Sequence, residues 1–493
     1  VNAAAFDPRV LDALGIPVRS LALDSRRVRP GDVFLAVPGH TGDGRDHIEA
    51  ALAAGAAAVL WEDDGRFGWR ADWPVPNAGI AGLRHRIGAL AARVYGDPTA
   101  RLHVIGVTGT NGKTSCAYWI AQALTGLGRP SALIGTLGIG YPPALEAHVN
   151  TTPDAVTVQS CCARFAADGA HSVALEASSI ALDQGRLDGV RFAVAVYTNL
   201  TREHLDYHGT MQAYGESKAR LFAWPGLRHA VLNVDDAFGR ELAARIDRAR
   251  VDTIEYGLGG GALAAHDLRL SERGLRLEIR SRWGSGVLES RMLGRHNASN
   301  LLATLGALLA SGVGFGEALE ALARIEPAPG RLERLGGGAA PDVVIDYAHT
   351  PDALASALAA LRPAVAAGGA LVCVFGCGGE RDPGKRPLMG EIATRLADAA
   401  VITSDNPRGE APQAIIDAIA AGAQPGRYRV EPDRRRAIAE AIGAARPGDV
   451  VLIAGKGHER YQEIAGLRHP FSDRDEAQQA LARRAPGAAG ARP

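Results

Sequence analysis

The sequence predicts an α/β protein of three domains, and three observations carry that expectation. Short apolar runs ending in glycine or polar residues alternate with helical stretches along most of the chain, the pattern of parallel sheets wrapped by helices. One of those runs leads straight into a glycine-rich loop and then a helix, in "LHVIGVTGTNGKTSCAYWIAQALTGLG" (102–128). Two breaks interrupt the alternation: Asp97-Pro98, where the proline disfavours helix in the residue before it, and "IEPAPGRLERL" (325–335), with two prolines and a glycine. They divide the chain into 1–97, 98–330 and 331–493, in keeping with the usual domain size of roughly 100–200 residues.

In the first stretch "DVFLAVPG" and "AAAVLWED" read as strands around the alanine-rich helix "HIEAALAAGA", a small α/β domain. The central stretch opens on the glycine-loop unit and continues through "HSVALEAS", "FAVAVYTNL" and "HAVLNVDD" among helical stretches to about residue 325, a mostly parallel sheet of the P-loop ATPase kind. The third resumes the alternation as "PDVVIDYAHTP", "GALVCVFGCGG", "AAVITSDNP" and "DVVLIAGKGHE", a Rossmann-like sheet. Each of its strands ends in a polar or glycine-rich loop, where ligand chemistry lies in such sheets. The tail "RRAPGAAGARP" is expected to be disordered.

Composition narrows the function. The 54 basic and 54 acidic side chains cancel, and 47% hydrophobic with 22% charged residues describes a soluble globular protein with no electrostatic attraction for nucleic acid or membranes. The chain starts without a basic, apolar leader and holds no run of about 18 apolar residues, so it is expected to act in the cytoplasm. Five cysteines, an odd number without C-x-x-C spacing, suggest buried thiols, not a disulfide framework or a zinc site.

The glycine loop is the chemical centre. In "GTNGKTS", Gly109 to Ser115, the strict phosphate-loop spacing would place its first glycine at Val107, which instead ends the strand. Gly109 and Gly112 let the backbone amides of Thr110, Asn111 and Ser115 face an anion. Lys113 supplies a cation for the terminal phosphates of ATP, and Thr114 offers a hydroxyl to magnesium at the helix start.

"GTNGKT" resembles the loop of the Mur ligases and their folylpolyglutamate synthase relatives, ATP-dependent enzymes that join an amine to a carboxylate. The resemblance covers nearly the whole chain. "TTPD" (151–154), "EASS" (176–179), "TNLTREHLDYHG" (198–209), "SKARLF" (217–222), "GRHNASN" (294–300), "DYAHTPD" (346–352), "GCGGERDPGKRPLM" (376–389), "SDNPR" (404–408) and "AGKGHE" (454–459) follow in family order. The similarity is to the members that add diaminopimelate. It implies that 1–97 binds the uridine nucleotide, 98–330 binds ATP and 331–493 binds the amino acid. It also implies a monomer acting on small-molecule substrates.

Such a reaction must bring a carboxylate to the γ-phosphorus of ATP although both are anions, so charge neutralisation is the central task. The resemblance assigns Lys113, Glu176, His204 and Lys218 to it. Thr114 and Glu176 would be ligands of one Mg2+, His204 of a second, and Lys218 an N-carbamate giving an anionic oxygen where an ammonium would add unwanted charge. Without the motif, His204 would read as structural and Lys218 as a solvated helix lysine. Asn297, Arg331 and Asp346 resemble contacts to the rest of ATP, with domain closure completing that site.

Ser25, His40, Thr41 and Gly42 resemble the uridine-diphosphate contacts, although singly each could be part of a polar surface turn. Thr151, Thr152, Ser178, Gln184 and Arg186 match the positions that grip a UDP-muramoyl dipeptide, with His349 facing the same cleft. For diaminopimelate, whose far end carries both an ammonium and a carboxylate, Arg408 offers an anion clamp and Arg381 a second arginine. Asp405, Asn406 and Pro407 shape that loop, and Gly455 and Glu459 match the residues holding the distal ammonium and carboxylate. The chain departs from the common "SSH" at Ile180, which puts one supporting contact in doubt. A folylpolyglutamate synthase-like ligase and a noncatalytic nucleotide-binding regulator remain as alternatives. "DSRRVRPGDVF" and D-N-P-R speak against the first, and the joint presence of Lys113, Glu176, His204 and Lys218 against the second.

Overall fold

A computed structural model describes residues 8–39, 42–271 and 274–484. His40, Thr41 and the tail from Ala485, expected to be disordered, lie outside the described residues. The chain forms two compact units, Val1–Ala262 with Ala303–Gly314, and Leu263–Leu302 with Phe315–Pro493.

The first unit begins with a four-stranded parallel sheet, β1 (Leu21–Ala22), β2 (Val33–Ala36), β3 (Ala58–Glu62) and β4 (Asn77–Ile80), in that order. Successive side chains of β2 enter opposite cores. Val33 and Leu35 pack with Ile87 and Leu90 of helix Ile87–Val94, while Phe34 and Ala36 pack with Ile48 and Ala51 of helix Ile48–Ala53. A strand covered on both faces needs apolar residues at every position, which is why "VFLA" does not alternate.

The same unit holds β5 (His103–Thr108), β6 (Ser131–Gly135), β7 (Gly138–Tyr141), β8 (Ala144–Glu146), β9 (Ser172–Glu176), β10 (Phe192–Tyr197), β11 (His229–Asn233) and β12 (Asp252–Gly257). Their order is β12-β11-β10-β5-β9-β6-β7-β8, parallel from β12 to β6, with β7 and β8 an antiparallel edge. Because β5 lies between β9 and β10, the loops that leave the carboxyl ends of these three strands converge. That convergence positions the candidate site.

In the second unit β13 (Leu263–Ser271), β14 (Gly274–Ser281) and β15 (Gly284–Ser290) form an antiparallel ribbon. The expected alternation of strands and helices to residue 325 passes over this ribbon, whose signal is period two. Leu275, Leu277 and Ile279 are buried, while Arg276, Glu278 and Arg280 between them are not. A six-stranded sheet follows, β16 (Glu333–Gly336), β17 (Asp342–Asp346), β18 (Leu371–Phe375), β19 (Ala399–Ile402), β20 (Tyr428–Val430) and β21 (Val450–Ala454), ordered β16-β17-β21-β18-β19-β20 and parallel except for β16. Two apolar layers cover its faces. A hairpin, β22 (Tyr461–Ile464) and β23 (Leu467–Pro470), closes the chain before the last helix, Asp473–Ala482. The five cysteines form no disulfide. Among the described residues no helix is long and apolar enough to cross a membrane.

At the amino-terminal edge of β5, opposite the converging loops, a ring nitrogen of His103 lies 3.0 Å from Ser311 Oγ. Burial, with the nearby Arg228, His171, His229 and Arg129, lowers its pKa to about 4 from 6.5. Between those values the unfolded chain binds a proton that the folded chain refuses. The stabilisation present above about pH 6.5 is therefore lost as pH falls towards 4. The melting temperature is expected to drop between pH 7 and pH 5, and His103→Asn to flatten that drop. Equal slopes in the two proteins would show that His103 does not carry it.

Candidate active site

The phosphate loop is built by two glycines that only glycine can occupy. Gly109 has φ +148°, and a side chain there would overlap Thr198 Oγ1; Gly112, at φ +86°, starts helix Lys113–Gly126. The loop apex is tied to the end of β10. Asn111 N donates to Asn199 Oδ1 at 2.9 Å, and its carbonyl accepts from Thr198 Oγ1 at 2.6 Å and Asn199 Nδ2 at 3.1 Å. Lys113 folds back over the loop, its Nζ donating to the carbonyls of Gly109 at 2.9 Å and Thr110 at 2.7 Å. Thr110 is also held, by Tyr214 Oη at 3.2 Å, and Ser115 is buried in the first turn of the helix.

A second amine reaches the same carbonyl. Lys218, on helix Met211–Ala219 and 1% exposed, donates to Gly109 O at 2.8 Å and lies 4.1 Å above the Tyr214 ring. Burial, then the charge of Lys113, drives its pKa well below the ordinary lysine value. His204, at φ +53°, stands edge-on to Tyr214 at 6.1 Å between centroids. Partial burial, with Lys113 and Lys218, lowers its pKa against the opposing pull of Glu203.

Glu176 ends β9 completely buried. Its carboxylate accepts from Thr114 Oγ1 at 2.9 Å, Thr136 N at 2.7 Å and Thr136 Oγ1 at 3.2 Å, all neutral donors. Gly135 faces it so closely that a side chain there would overlap Glu176 Oε1. Beside it the residues expected to grip a dipeptide come together. Thr152 Oγ1 donates to Glu176 O at 2.6 Å and accepts from Ser178 N at 3.1 Å, and Thr136 Oγ1 bonds Thr151 Oγ1 at 3.0 Å. Arg186 donates to Thr152 O at 3.0 Å and twice to Gln184 Oε1, at 2.9 and 2.6 Å. These acceptors are neutral, so the guanidinium charge is left for an anion. Next to Ile180, Ser179 Oγ is 3.0 Å from a ring nitrogen of His208.

The amino-terminal contacts are more dispersed. Ser25 lies in a single turn capped by Asp24, and Gly42 O accepts from Gly39 N at 2.6 Å. No hydrogen bond among the described residues joins them, and His40 and Thr41 lie outside those residues.

In the second unit the loops after β18, β19 and β21 meet. Arg408, at φ +53°, donates from Nη1 to Gly379 O at 2.6 Å, and its backbone is stitched to the β22 hairpin at Glu463 and Ala465. A side chain at Gly378 would come 2.9 Å from Arg408 Nη1 and 3.8 Å from Arg381 Cγ, so both arginines flank that glycine. Gly379 N bonds the carbonyl of Asn406 at 2.9 Å, next to Pro407. Asp405 and Asn406 are buried, and Gly455, at φ +119°, leaves a Cβ only 2.5 Å from Asp405 Oδ2. Asn406 Nδ2 donates to Glu459 Oε2 at 2.9 Å. The remaining candidates sit elsewhere in this unit. Asn297, on helix Arg295–Ala310, bonds Leu293 O just before that helix and Asn300 within it, and Arg331 stacks over Tyr347 at 4.6 Å. Asp346 accepts from the backbone of Leu332 and Ala348 at 2.8 Å each, and burial pushes its carboxyl up. His349 bonds Tyr347 O at 2.8 Å.

Several participants escaped the sequence reading. Thr136 and Tyr214 belong to no quoted motif, and only their spatial position marks them. Lys456 stands inside "AGKGHE" but reads there as an ordinary loop lysine. It is fully buried, as are Arg434 and Asp473, a bidentate pair at 2.7 Å for both bonds. Arg434 also donates to Ala454 O and Ser404 O, joining the ends of β21 and β19.

Three family descriptions match the chain: Mur ligase family, catalytic domain, over 17–95; Mur ligase middle domain over 107–308; and Mur ligase, glutamate ligase domain, over 330–457. A Chromobacterium violaceum protein named UDP-N-acetylmuramoyl-L-alanyl-D-glutamate--2,6-diaminopimelate ligase is 55% identical over 476 residues, 97% of each chain. A Pseudomonas aeruginosa protein of the same name is 51% identical, covering 94% of this chain and 95% of its own. A solved structure of a UDP-N-acetylmuramoyl-L-alanyl-D-glutamate--2,6-diaminopimelate ligase superposes with a TM-score of 0.70 at 38% identity, over 98% of this chain and 97% of that one. Mycobacterium tuberculosis folylpolyglutamate synthase shares the fold alone, with a TM-score of 0.62 at 21% identity over 82% of this chain and 96% of its own.

The crowding at Gly135 gives a test of the carboxylate's role. Gly135→Ala is expected to displace Glu176 and cut substrate-dependent phosphate release from ATP about 100-fold or more, the scale of a 1 Å misplacement. Unchanged release in a folded variant, checked by circular dichroism, would remove Glu176 from the reaction.

Proposed function

The chain belongs to the Mur ligase family, and from that premise we propose that it is the ATP-dependent ligase joining meso-2,6-diaminopimelate to the D-glutamate of UDP-N-acetylmuramoyl-L-alanyl-D-glutamate in peptidoglycan precursor synthesis. The observation that carries this reading is the gathering, beyond the carboxyl ends of β5, β9 and β10, of a phosphate loop with two lysines, a buried carboxylate and an arginine bonded only to neutral acceptors. The 55% identity to a diaminopimelate ligase over nearly the whole chain supports the choice of substrates.

The glutamyl carboxylate attacks the γ-phosphorus of ATP, forming an acyl phosphate and releasing ADP. The diaminopimelate amine then attacks the acyl carbon, the C–N bond forms, and phosphate departs as the amine gives up its proton. In the first step Lys113 exchanges its two carbonyl partners for phosphate oxygens, while the amides of the Gly109–Ser115 loop point at the same charge. Arg186 takes an anionic group of the dipeptide, and Thr151, Thr152 and Ser178 fix its backbone.

The hard oxygens of Thr114 and Glu176 suit magnesium; they would hold one such ion, and His204 with a carbamylated Lys218 a second, to neutralise and orient phosphate oxygens. The carbamate would form when the neutral Lys218 amine adds to carbon dioxide and loses a proton, putting an anion where an uncharged amine stood. Ser25, His40, Thr41, Gly42 and His349 are assigned to the UDP-muramoyl substrate, and Asn297, Arg331 and Asp346 to the nucleotide. Domains 1–97, 98–330 and 331–493 are assigned to the UDP-linked substrate, ATP and the amino acid, and the work to the cytoplasm.

At the amine pocket, Arg381 and Arg408 supply the anion clamp that a lysine donor would leave unused. Arg408→Ala is expected to raise the diaminopimelate KM by about 30-fold or more, the scale of losing one partner of a hydrogen-bonded charge pair, with the ATP KM within about twofold. Initial rates with meso-diaminopimelate, L-lysine and glutamate, read by ADP formation and product mass, test both donor and clamp. Small, equal changes in both KM values would remove Arg408 from the pocket, and no turnover with diaminopimelate would refute the proposed reaction.

A further inference from the structure

The amine pocket contains a charged group to which no role has been assigned. Lys456 is fully buried, between Gly455 and Glu459 in sequence, and its Nζ donates to Asn406 Oδ1 at 2.9 Å and to Glu459 Oε2 at 2.7 Å. A buried ammonium is costly unless every such bond is made, so this one constrains its partners strongly.

The constraint is directional. An ammonium can only donate, so the Asn406 atom facing Lys456 must be the carbonyl oxygen. Two further bonds agree. Glu463 N, also a donor, reaches Asn406 Oδ1 at 3.0 Å, and Nδ2 donates to Glu459 Oε2 at 2.9 Å. With both lone pairs of Oδ1 occupied, Asn406 retains one uncommitted N–H on Nδ2. Glu459 is fixed in the complementary sense. Its Oε2 accepts from both Lys456 and Asn406, which leaves Oε1 as the oxygen open to a ligand.

We infer that Lys456 is the positioning residue that sets the polarity of the amine-donor pocket, turning the N–H of Asn406 towards the donor's carboxylate and Oε1 of Glu459 towards its ammonium. This rests on the proposed diaminopimelate reaction and deepens it. Arg408 brings charge to the carboxylate, while Lys456 acts without touching the donor, joining Glu463 N and Glu459 in excluding the alternative amide orientation and holding both side chains in place. An Asn406 flipped by half a turn would present its carbonyl oxygen to an anion, a repulsive contact. The preference for carboxylate-bearing over carboxylate-free donors should therefore fall when Lys456 is removed.

Steady-state kinetics of the full chain with meso-diaminopimelate and L-lysine test the inference. Lys456→Met is expected to raise the diaminopimelate KM about 30-fold or more, with kcat and the KM values of ATP and the UDP-linked substrate within about threefold, and to lower the diaminopimelate-to-lysine preference. Adding Glu459→Gln to Lys456→Met should raise the KM little beyond the larger single effect, because the two act as one unit. Additive effects would mean that Lys456 meets the donor directly, and a parallel loss in kcat and every KM would mean a structural role only; either overturns the inference. Should Lys456→Met fail to fold, Lys456→Gln, which keeps a donor for Asn406 or Glu459, must give an intermediate KM, and a wild-type KM there would equally overturn it. Wild-type turnover with an unaffected variant sinks only this inference, whereas absent wild-type turnover sinks the proposed reaction.

Discussion

Two lysines share one carbonyl oxygen, and the chemistry of the first unit is arranged around that fact. Lys113 and Lys218 both donate to Gly109 O. Two amines so placed stand within about 6 Å of each other, where like charges repel by about 3 kcal/mol at an effective dielectric of about 20. Burial of Lys218, 1% exposed, and next the charge of Lys113 together drive its pKa well below the ordinary lysine value. An anion entering the loop, or a carbamate formed on Lys218, relieves the same strain. The site is thus built to be completed by negative charge.

The buried carboxylate beside it follows the opposite logic. Glu176 is held by a threonine on the phosphate helix, by the backbone and hydroxyl of Thr136, and through its own carbonyl by Thr152. None of these donors neutralises it. Anchoring by dipoles fixes the position of a charge while leaving it available, whereas a salt bridge would consume it. Arg186 mirrors this arrangement with the sign reversed. Its bonds to Gln184 and a carbonyl orient a cation without cancelling it.

The second unit uses fully paired charges instead. The Arg434–Asp473 pair lies completely buried and ties the ends of β19 and β21, and Lys456 bridges Asn406 to Glu459. Such pairs contribute little net stability, since desolvation offsets much of the attraction. Their effect is geometric. They leave the side chains of Asn406 and Glu459 one orientation each, which the proposed amine pocket requires to distinguish the two charged ends of a small molecule.

The sequence by itself determined the α/β class and the strand–loop–helix unit at Gly109 to Ser115, because these depend on local periodicity and on backbone freedom at glycine, whereas Glu176, Lys218, Arg186 and Arg408 stood out only through resemblance to a family. Tertiary structure decided what those residues face. The antiparallel ribbon from Leu263 to Ser290 was hidden by half-buried strands whose charged alternation resembles a solvated surface. Thr136 meets Glu176 only because β6 pairs with β9, Tyr214 meets Thr110 only because β10 lies beside β5, and Lys456 becomes a buried cation only because Asn406, fifty residues earlier, folds against it. Burial and hydrogen-bond direction are properties of pairs of distant residues. No single stretch of chain encodes them, so they become visible only when the sheets assemble.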